Sequence, residues 1–529
     1  MQDHSHALTR LGANPSKEQT RPPAVALPAR RREVGSRSTR RDNFAARLLV
    51  SRALLDSAAR RTATLAALTI ALAVAAVAVS HAEAHGLKLG FWDGETFQSD
   101  DPGIRATWFN RAVGARTQVV RLSVLWRKVV GDRPPAHPAD PGDPDYDFSS
   151  LDAAVEDASA RHLQVMLTVA HAPAWAEGKD RPPGGAVPPG AWKPNASAFG
   201  QFARALGKRY SGQYRGLPRV RYFEVWNEPN LTKFLAPQWQ GKKATSPKLY
   251  RRLLNRFYAG VKTVQPGAKV IGGVMSPFGD YRKHPLDPSR PRLRPLVFLR
   301  KLLCLKQDLK PAKCSDKPHF NILSQHPLNF TKPPSYQPFN PNDVQVANFH
   351  KVGRILRAAE RAHRVRPRVH HQLWATEYSW YTNPPNPSGV SPAKQAKWIE
   401  EGFYRLWKQG ASVVINYPLR DLPRDPTQPI SRWATSGVFF HDASRKPSYR
   451  SFRFPFVAHR RSKSKVGIWG KAPESGDLEI QKHVEGGWHT MSNRQVRRGQ
   501  LFMPTIRLRG HAELRGKIGD TTSLPWHQR

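Results

Sequence analysis

Two carboxylates carry the chemistry most open to this chain. The stretch VRYFEVWNEPN, Val220 to Asn230, reads as a buried strand that ends on Asn227 and Glu228, directly before a proline. A second run, HQLWATE, ends on Glu377. Burying an unpaired carboxylate is costly unless its surroundings are arranged for it, so an acid at the end of an apolar run implies a task. Two such acids facing each other meet the needs of glycosidic bond cleavage: one protonates the leaving oxygen, and the other meets the developing oxocarbenium carbon. In that pair Glu228 is the expected general acid/base. For either residue alone, a salt bridge to one of the many arginines is the competing reading; the occurrence of both at strand ends favours the catalytic pair.

The pair works only if the backbone brings its two strands together. From residue 85 short apolar runs alternate with longer segments of helical periodicity: LKLGFW, TQVVRLSVLW, LQVMLTVAH, VRYFEVWNE, KVIGGV, FNILSQH, HQLWATE and SVVINY, separated by segments such as NASAFGQFARALGKRY and SPKLYRRLLNRFYAGVKTV. Nearly continuous apolar strands suit a sheet buried on both faces, and strict β, α alternation argues parallel pairing. The expected fold is an α/β (β/α)8 TIM barrel with insertions. A doubly wound open sheet is the runner-up, disfavoured because no glycine-rich phosphate turn follows the first strand.

Active sites of the barrel lie at the C-terminal strand ends. Those ends read Trp92, Trp126, His171, Asn227 with Glu228, Ser276, His326, Glu377 and Tyr417. Nearly all can hydrogen-bond, ionise or stack on a sugar. Trp92, Trp126, Trp175, Trp239, Trp380, Tyr417 and Trp433 are candidate sugar platforms, and the Pro-rich insertions GKDRPPGGAVPPGAW and NFTKPPSYQPFNPND fall on the same side. Three N-x-S/T triplets, at Asn195, Asn230 and Asn329, read as chance, because a glycan on Asn230 would block the site.

The flanks carry other signals. Residues 1–61 form a basic tail without apolar periodicity, and Thr62 to Ser80 is uncharged and apolar, close to the about 20 residues that span a bilayer. Ala82 and Ala84 have the spacing of a signal-peptidase site. Residues 62–84 are therefore expected to be a signal peptide or membrane anchor, with the catalytic domain, 85–458, outside the cytoplasm. Cys304 and Cys314 permit a bridge across a short loop, two separate buried thiols being the alternative. Residues 459–529 show short alternating runs and glycine-rich turns, the pattern of a small β module that buttresses the barrel or binds polysaccharide.

A hydrophobic share of 39% with 15 Trp excludes global disorder. The formal charge of +44 favours anionic partners, an acidic glycan or an anionic envelope or membrane surface, unless it is plain compositional bias. Zinc-finger spacing, an aromatic RNA-binding signature and a basic heptad helix are all missing from the sequence, so no nucleic-acid partner is expected.

WNEPN at Trp226 to Asn230 and LWATEYSW at Leu373 to Trp380 resemble the acid/base and nucleophile motifs of the clan A retaining glycoside hydrolases, the superfamily that includes families 5, 39, 42 and 51. The resemblance runs over about residues 86–458 and includes Arg121, His171, SQHPLN with His326, and a closing segment, SGVFFHDASRKPSYRSFRFPF, similar to family 39-like enzymes. It implies double displacement without cofactor or metal, on a carbohydrate substrate. Glu377 would attack the anomeric carbon, and Asn227 would bind the sugar 2-hydroxyl. Arg121 would keep Glu377 ionised, and His171 and His326 would line the reacting-sugar subsite; Trp92, Trp126, Tyr417 and Trp433, read from their places at strand ends and in the following loops, are the substrate-binding aromatics expected beside them. The charge on Glu377 would raise the Glu228 pKa. Tyr378 departs from the glycine or phenylalanine often found beside the nucleophile. A non-catalytic glycan-binding envelope protein on the same scaffold is the alternative function.

Overall fold

Each of the eight apolar runs is a strand in the computed structural model, which describes residues 86–280, 292–424, 426–427 and 433–528. These are β1 (Lys88–Trp92), β2 (Val119–Leu125), β3 (Gln164–Ala170), β4 (Tyr222–Val225), β5 (Lys269–Met275), β6 (Ile322–Gln325), β7 (Gln372–Tyr378) and β8 (Ala411–Asn416). They close in the order β1-β8-β7-β6-β5-β4-β3-β2, and every neighbouring pair is parallel. The expected (β/α)8 barrel is therefore the fold, and the open sheet is excluded.

A main helix follows each strand: α1 (Pro102–Gly114), α2 (Ser149–Ala160), α3 (Ala196–Arg209), α4 (Ser246–Val264), α5 (Pro295–Leu302), α6 (His350–Arg361), α7 (Pro392–Lys408) and α8 (Ser448–Arg453), with single-turn helices at Gly94–Phe97 and Trp126–Val129 besides. Their starts are written locally. Asp101, Asn195 and Ser391 accept hydrogen bonds from the free amides of the first turns of α1, α3 and α7, and α1, α4, α5 and α7 have proline in their first two positions, where its missing N–H costs nothing.

Strand alternation separates two environments. Outward residues such as Leu122, Leu167, Phe223 and Val225 share the main core with helix residues such as Phe109, Val155, Phe202 and Phe257. Inward, Val119, Met166, Ile271, Ile322, Trp374, Val413 and Ile415 form an apolar plug. Further along the same strands toward their C-terminal ends, Arg121, Thr168, Glu224 and Ser324 make a buried polar layer.

Beyond α8 come β9 (Phe456–Ser462), β10 (Lys465–Lys471), β11 (Gly476–Val484), β12 (Gly487–Val496), β13 (Leu501–Phe502), β14 (Thr505–Arg507), β15 (Ala512–Ile518), β16 (Thr521–Thr522) and β17 (Trp526–Gln528). Two antiparallel sheets, β9-β10-β13 with β14, and β12-β11-β15-β16 with β17, enclose a separate core that includes Phe454, Phe456, Ile468, Ile480 and Leu514. β9 runs across the expected boundary at 458/459, because its apolar first half reads like a continuation of the barrel. The module meets the barrel through Trp469 against Tyr404 and Trp407 of α7, and through Lys471 donating to Gln118, just before β2. These contacts lie on the flank and at the N-terminal strand ends.

Cys304 and Cys314 are bridged, closing the loop between α5 and β6. The expected tail, 1–61, and export segment, 62–84, lie outside the described residues. Among those described, no helix is long and apolar enough to cross a membrane.

Candidate active site

β4 stops pairing at Val225, earlier than its apolar run suggests, and the chain turns sharply. Trp226 and Glu228 have φ of 72° and 36°, left-handed values that cost roughly 1–3 kcal/mol each for such residues. The turn is held by backbone and side chain together. The Trp226 amide donates to Val169 and its indole Nε1 to the Phe234 carbonyl at 2.7 Å, while the Glu228 carbonyl accepts from Leu231. Asn227 and Glu228 are thus delivered by a strained turn beyond the strand end.

Glu377 reaches the same place by a different device. Trp374 points inward while Leu373 and Ala375 point to the helices, so strict alternation would send Glu377 outward. The pairing of Val414 with Ala375 and of Asn416 with Tyr378 shows one extra residue in β7. That bulge reverses the parity. Glu377 turns into the barrel mouth, and Tyr378 turns outward, its hydroxyl donating to the Ile399 carbonyl of α7 at 2.7 Å and its ring stacking on Phe403. The tyrosine that departs from the family pattern is a core residue.

Between the acids stands His326, fully buried, with Nδ1 3.1 Å from Glu228 Oε1 and 3.4 Å from Glu377 Oε1. One donor atom from each of these three residues lies within 4.8 Å of the others. Arg121 donates through Nη1 to Glu377 Oε1 at 2.6 Å and through Nη2 to Asn227 Oδ1 at 2.9 Å. With Oδ1 so engaged, the Asn227 amide nitrogen is left to donate elsewhere. The trio is also the described set of atoms that could meet a cation, but the Arg121 charge beside Glu377 opposes one.

The electrostatics overturn one expectation. Burial pushes the Glu228 carboxyl up, but the hydrogen bond and charge of His326, with the charges of Lys233 and Arg121, outweigh it and hold the group below its ordinary value. The sequence predicted the reverse, because the histidine contact could not be foreseen. Arg121 is held cationic: burial disfavours its charge, and Glu224, Glu377 and Glu228 more than restore it. Burial and then the charges of Glu377 and Glu228 push Tyr381 up to about 12.

No family model and no curated protein matches the chain. Among solved structures it is similar to a GH39 β-xylosidase from Caulobacter crescentus, at 15% identity over 81% of this chain and 96% of that one, with a TM-score of 0.46. It is also similar to the GH39 enzyme from Xanthomonas axonopodis pv. citri, at 15% identity over 80% and 92%, TM-score 0.46. A third is an exo-β-1,4-mannosidase from Opitutaceae bacterium strain TAV5, at 12% identity over 69% and 58%, TM-score 0.42. The barrel assignment stands on the strand order alone.

The remaining candidates divide. Trp92 and Tyr417 stack at 4.4 Å, and the Arg121 guanidinium lies 4.4 Å from the Trp92 ring, so both aromatics wall the site. His171 sits at the end of β3 against Phe234, its pKa lowered first by burial and then by the charges of Arg127 and Lys233. Trp126 is not a platform: it is 1% exposed and packs on Trp175, Phe199 and Phe202, on the helix side of the barrel. Its place just after β2 gave no sign of which way it faces. Trp433 spends its indole N–H on the Leu422 carbonyl, and Trp380 is buried with its N–H on Lys332. Asn230 is buried, bonded to the Phe278 carbonyl and the Ser276 amide, which fits a triplet with no glycan.

Two features escaped the sequence reading. Glu224, inside β4, touches Arg121, Thr168 and Ser324. Its signal was present, as a charge at an inward position of an apolar strand. The other is the Asp421–Lys446 ion pair, 2.7 Å long and fully buried, in which Lys446 also donates to Thr382 and so ties the loops after β7 and β8. No local pattern announces it.

Proposed function

We propose that this chain is a retaining glycoside hydrolase that cleaves β-glycosidic bonds in an oligosaccharide or polysaccharide. The observation that supports this most is that carboxylate oxygens of Glu228 and Glu377 lie within 4.8 Å of each other in the barrel mouth. Retaining enzymes hold their carboxyl groups about 5–5.5 Å apart, whereas inverting ones leave about 6.5–9.5 Å for a water.

In this reading Glu377, oriented by Arg121, attacks the anomeric carbon. The leaving oxygen takes its proton from Glu228, and Glu228 then removes a proton from the water that hydrolyses the glycosyl-enzyme. The Asn227 amide hydrogen-bonds the 2-hydroxyl, and Trp92 with Tyr417 supplies an aromatic wall. Export through residues 62–84 is part of the same proposal, since a polymeric glycan is met outside the cell.

The test is turnover of aryl β-xylosides, glucosides and mannosides and of neutral and acidic polysaccharides. The expected outcome is turnover of at least one β-linked substrate, abolished by Glu377→Ala. Glycan binding with no turnover by the wild type would favour the non-catalytic glycan-binding protein.

A further inference from the structure

The Arg121 guanidinium is engaged on every side. Its Nε donates to Thr168 Oγ1 at 2.7 Å and lies 3.0 Å from Glu224 Oε2; Nη1 and Nη2 serve Glu377 and Asn227, and Trp92 covers one face. Glu224 is held as fully. Its Oε2 accepts from Thr168 Oγ1 at 2.8 Å and its Oε1 from Ser324 Oγ at 3.0 Å, and it is 0% exposed. A carboxylate is an expensive way to fill this space, because an apolar side chain would avoid its desolvation.

Charge balance gives Glu224 a use. One buried cation stands between two buried anions, Glu224 and Glu377. Were Glu377 its sole close partner, the whole Arg121 charge would bear on the attacking carboxylate, lowering its basicity and its readiness to leave the ion pair. Two opposing anchors also fix the guanidinium plane, and with it the Glu377 oxygen.

We propose that Glu224 is a positioning residue for the nucleophile: it fixes Arg121 and takes up part of its charge, so that Arg121 orients Glu377 without neutralising it. This rests on the reading of Glu377 as nucleophile. The other groups facing Glu377 are Arg121 from β2, Glu228 after β4, His326 after β6, Tyr381 after β7 and Tyr417 after β8. All of them remain when Glu224 is changed.

The test is the pH profile of kcat/KM for Glu224→Gln, Glu224→Asp and wild type on the aryl glycoside the wild type turns over. For Glu224→Gln, kcat should fall about 10- to 100-fold, KM should change little, and the acid limb should move down by about one pH unit. Glu224→Asp keeps the charge and should hold the acid limb at the wild-type position while lowering kcat less. A loss of kcat in Glu224→Gln with the limb unmoved would mean a packing role and overturn the proposal, as would wild-type kinetics. If Glu224→Gln does not fold, Glu224→Met, uncharged and of similar volume, is read in the same way: lower kcat with the acid limb moved down supports the proposal, and the limb unmoved overturns it. A wild type without turnover on any substrate would sink the glycosidase reading itself, whereas turnover lost in Glu377→Ala but untouched in Glu224→Gln sinks this inference alone.

Discussion

His326 joins Glu228 and Glu377, the proposed acid/base and nucleophile, and its effect can be separated from theirs. Glu228 must carry a proton when substrate arrives, and His326 holds its pKa down, so the alkaline limb of kcat/KM should lie at acidic pH. His326→Phe removes the hydrogen bond to Glu228. The carboxyl then keeps its proton to higher pH, and the alkaline limb should move upward; a limb that stays put or falls would show that His326 does not control Glu228. Among single residues the sequence was legible for those at strand ends that the structure brings together, as Glu228, Glu377 and His326. It was not legible where the partner lies mid-strand, as at Glu224, or where a residue follows a strand and turns away, as at Trp126.

Among the elements, the βα order could be read because both-face burial writes continuous apolar runs into the sequence, and Gln164–Ala170 and Lys269–Met275 are examples. The β7 bulge could not be read, because HQLWATEYSW has no glycine to mark it, and its cause is the pairing with β8. The Asp421–Lys446 tie is equally non-local. Burial pushes Asp421 up to about 6 and Lys446 down to about 8 despite their pairing. Lys446→Met would leave Asp421 buried without its cation, and breaking a buried pair from one side costs about 3–5 kcal/mol. Urea unfolding should show a loss of that order. A loss under about 1 kcal/mol would mean that water reaches Asp421 and the pair is no tie.

Across the whole molecule, the barrel gathers residues from β2, β4, β6, β7 and β8 at one mouth, and the β module braces the far end and flank. The site sets one cation, Arg121, against the carboxylates of Glu224, Glu228 and Glu377, so the net charge of +44 arises elsewhere in the chain and speaks to partners more than to the reaction. Retention through double displacement requires that Glu377 form a covalent bond to the sugar, and trapping captures that bond. The protein would be incubated with activated 2-deoxy-2-fluoro-β-xyloside, -glucoside and -mannoside, digested with protease and analysed by mass spectrometry. The expected result is one glycosyl adduct, on the peptide and side chain of Glu377, lost in Glu377→Ala. An adduct on Glu228, or turnover of the matching substrate with inverted anomeric product and no adduct, would contradict it.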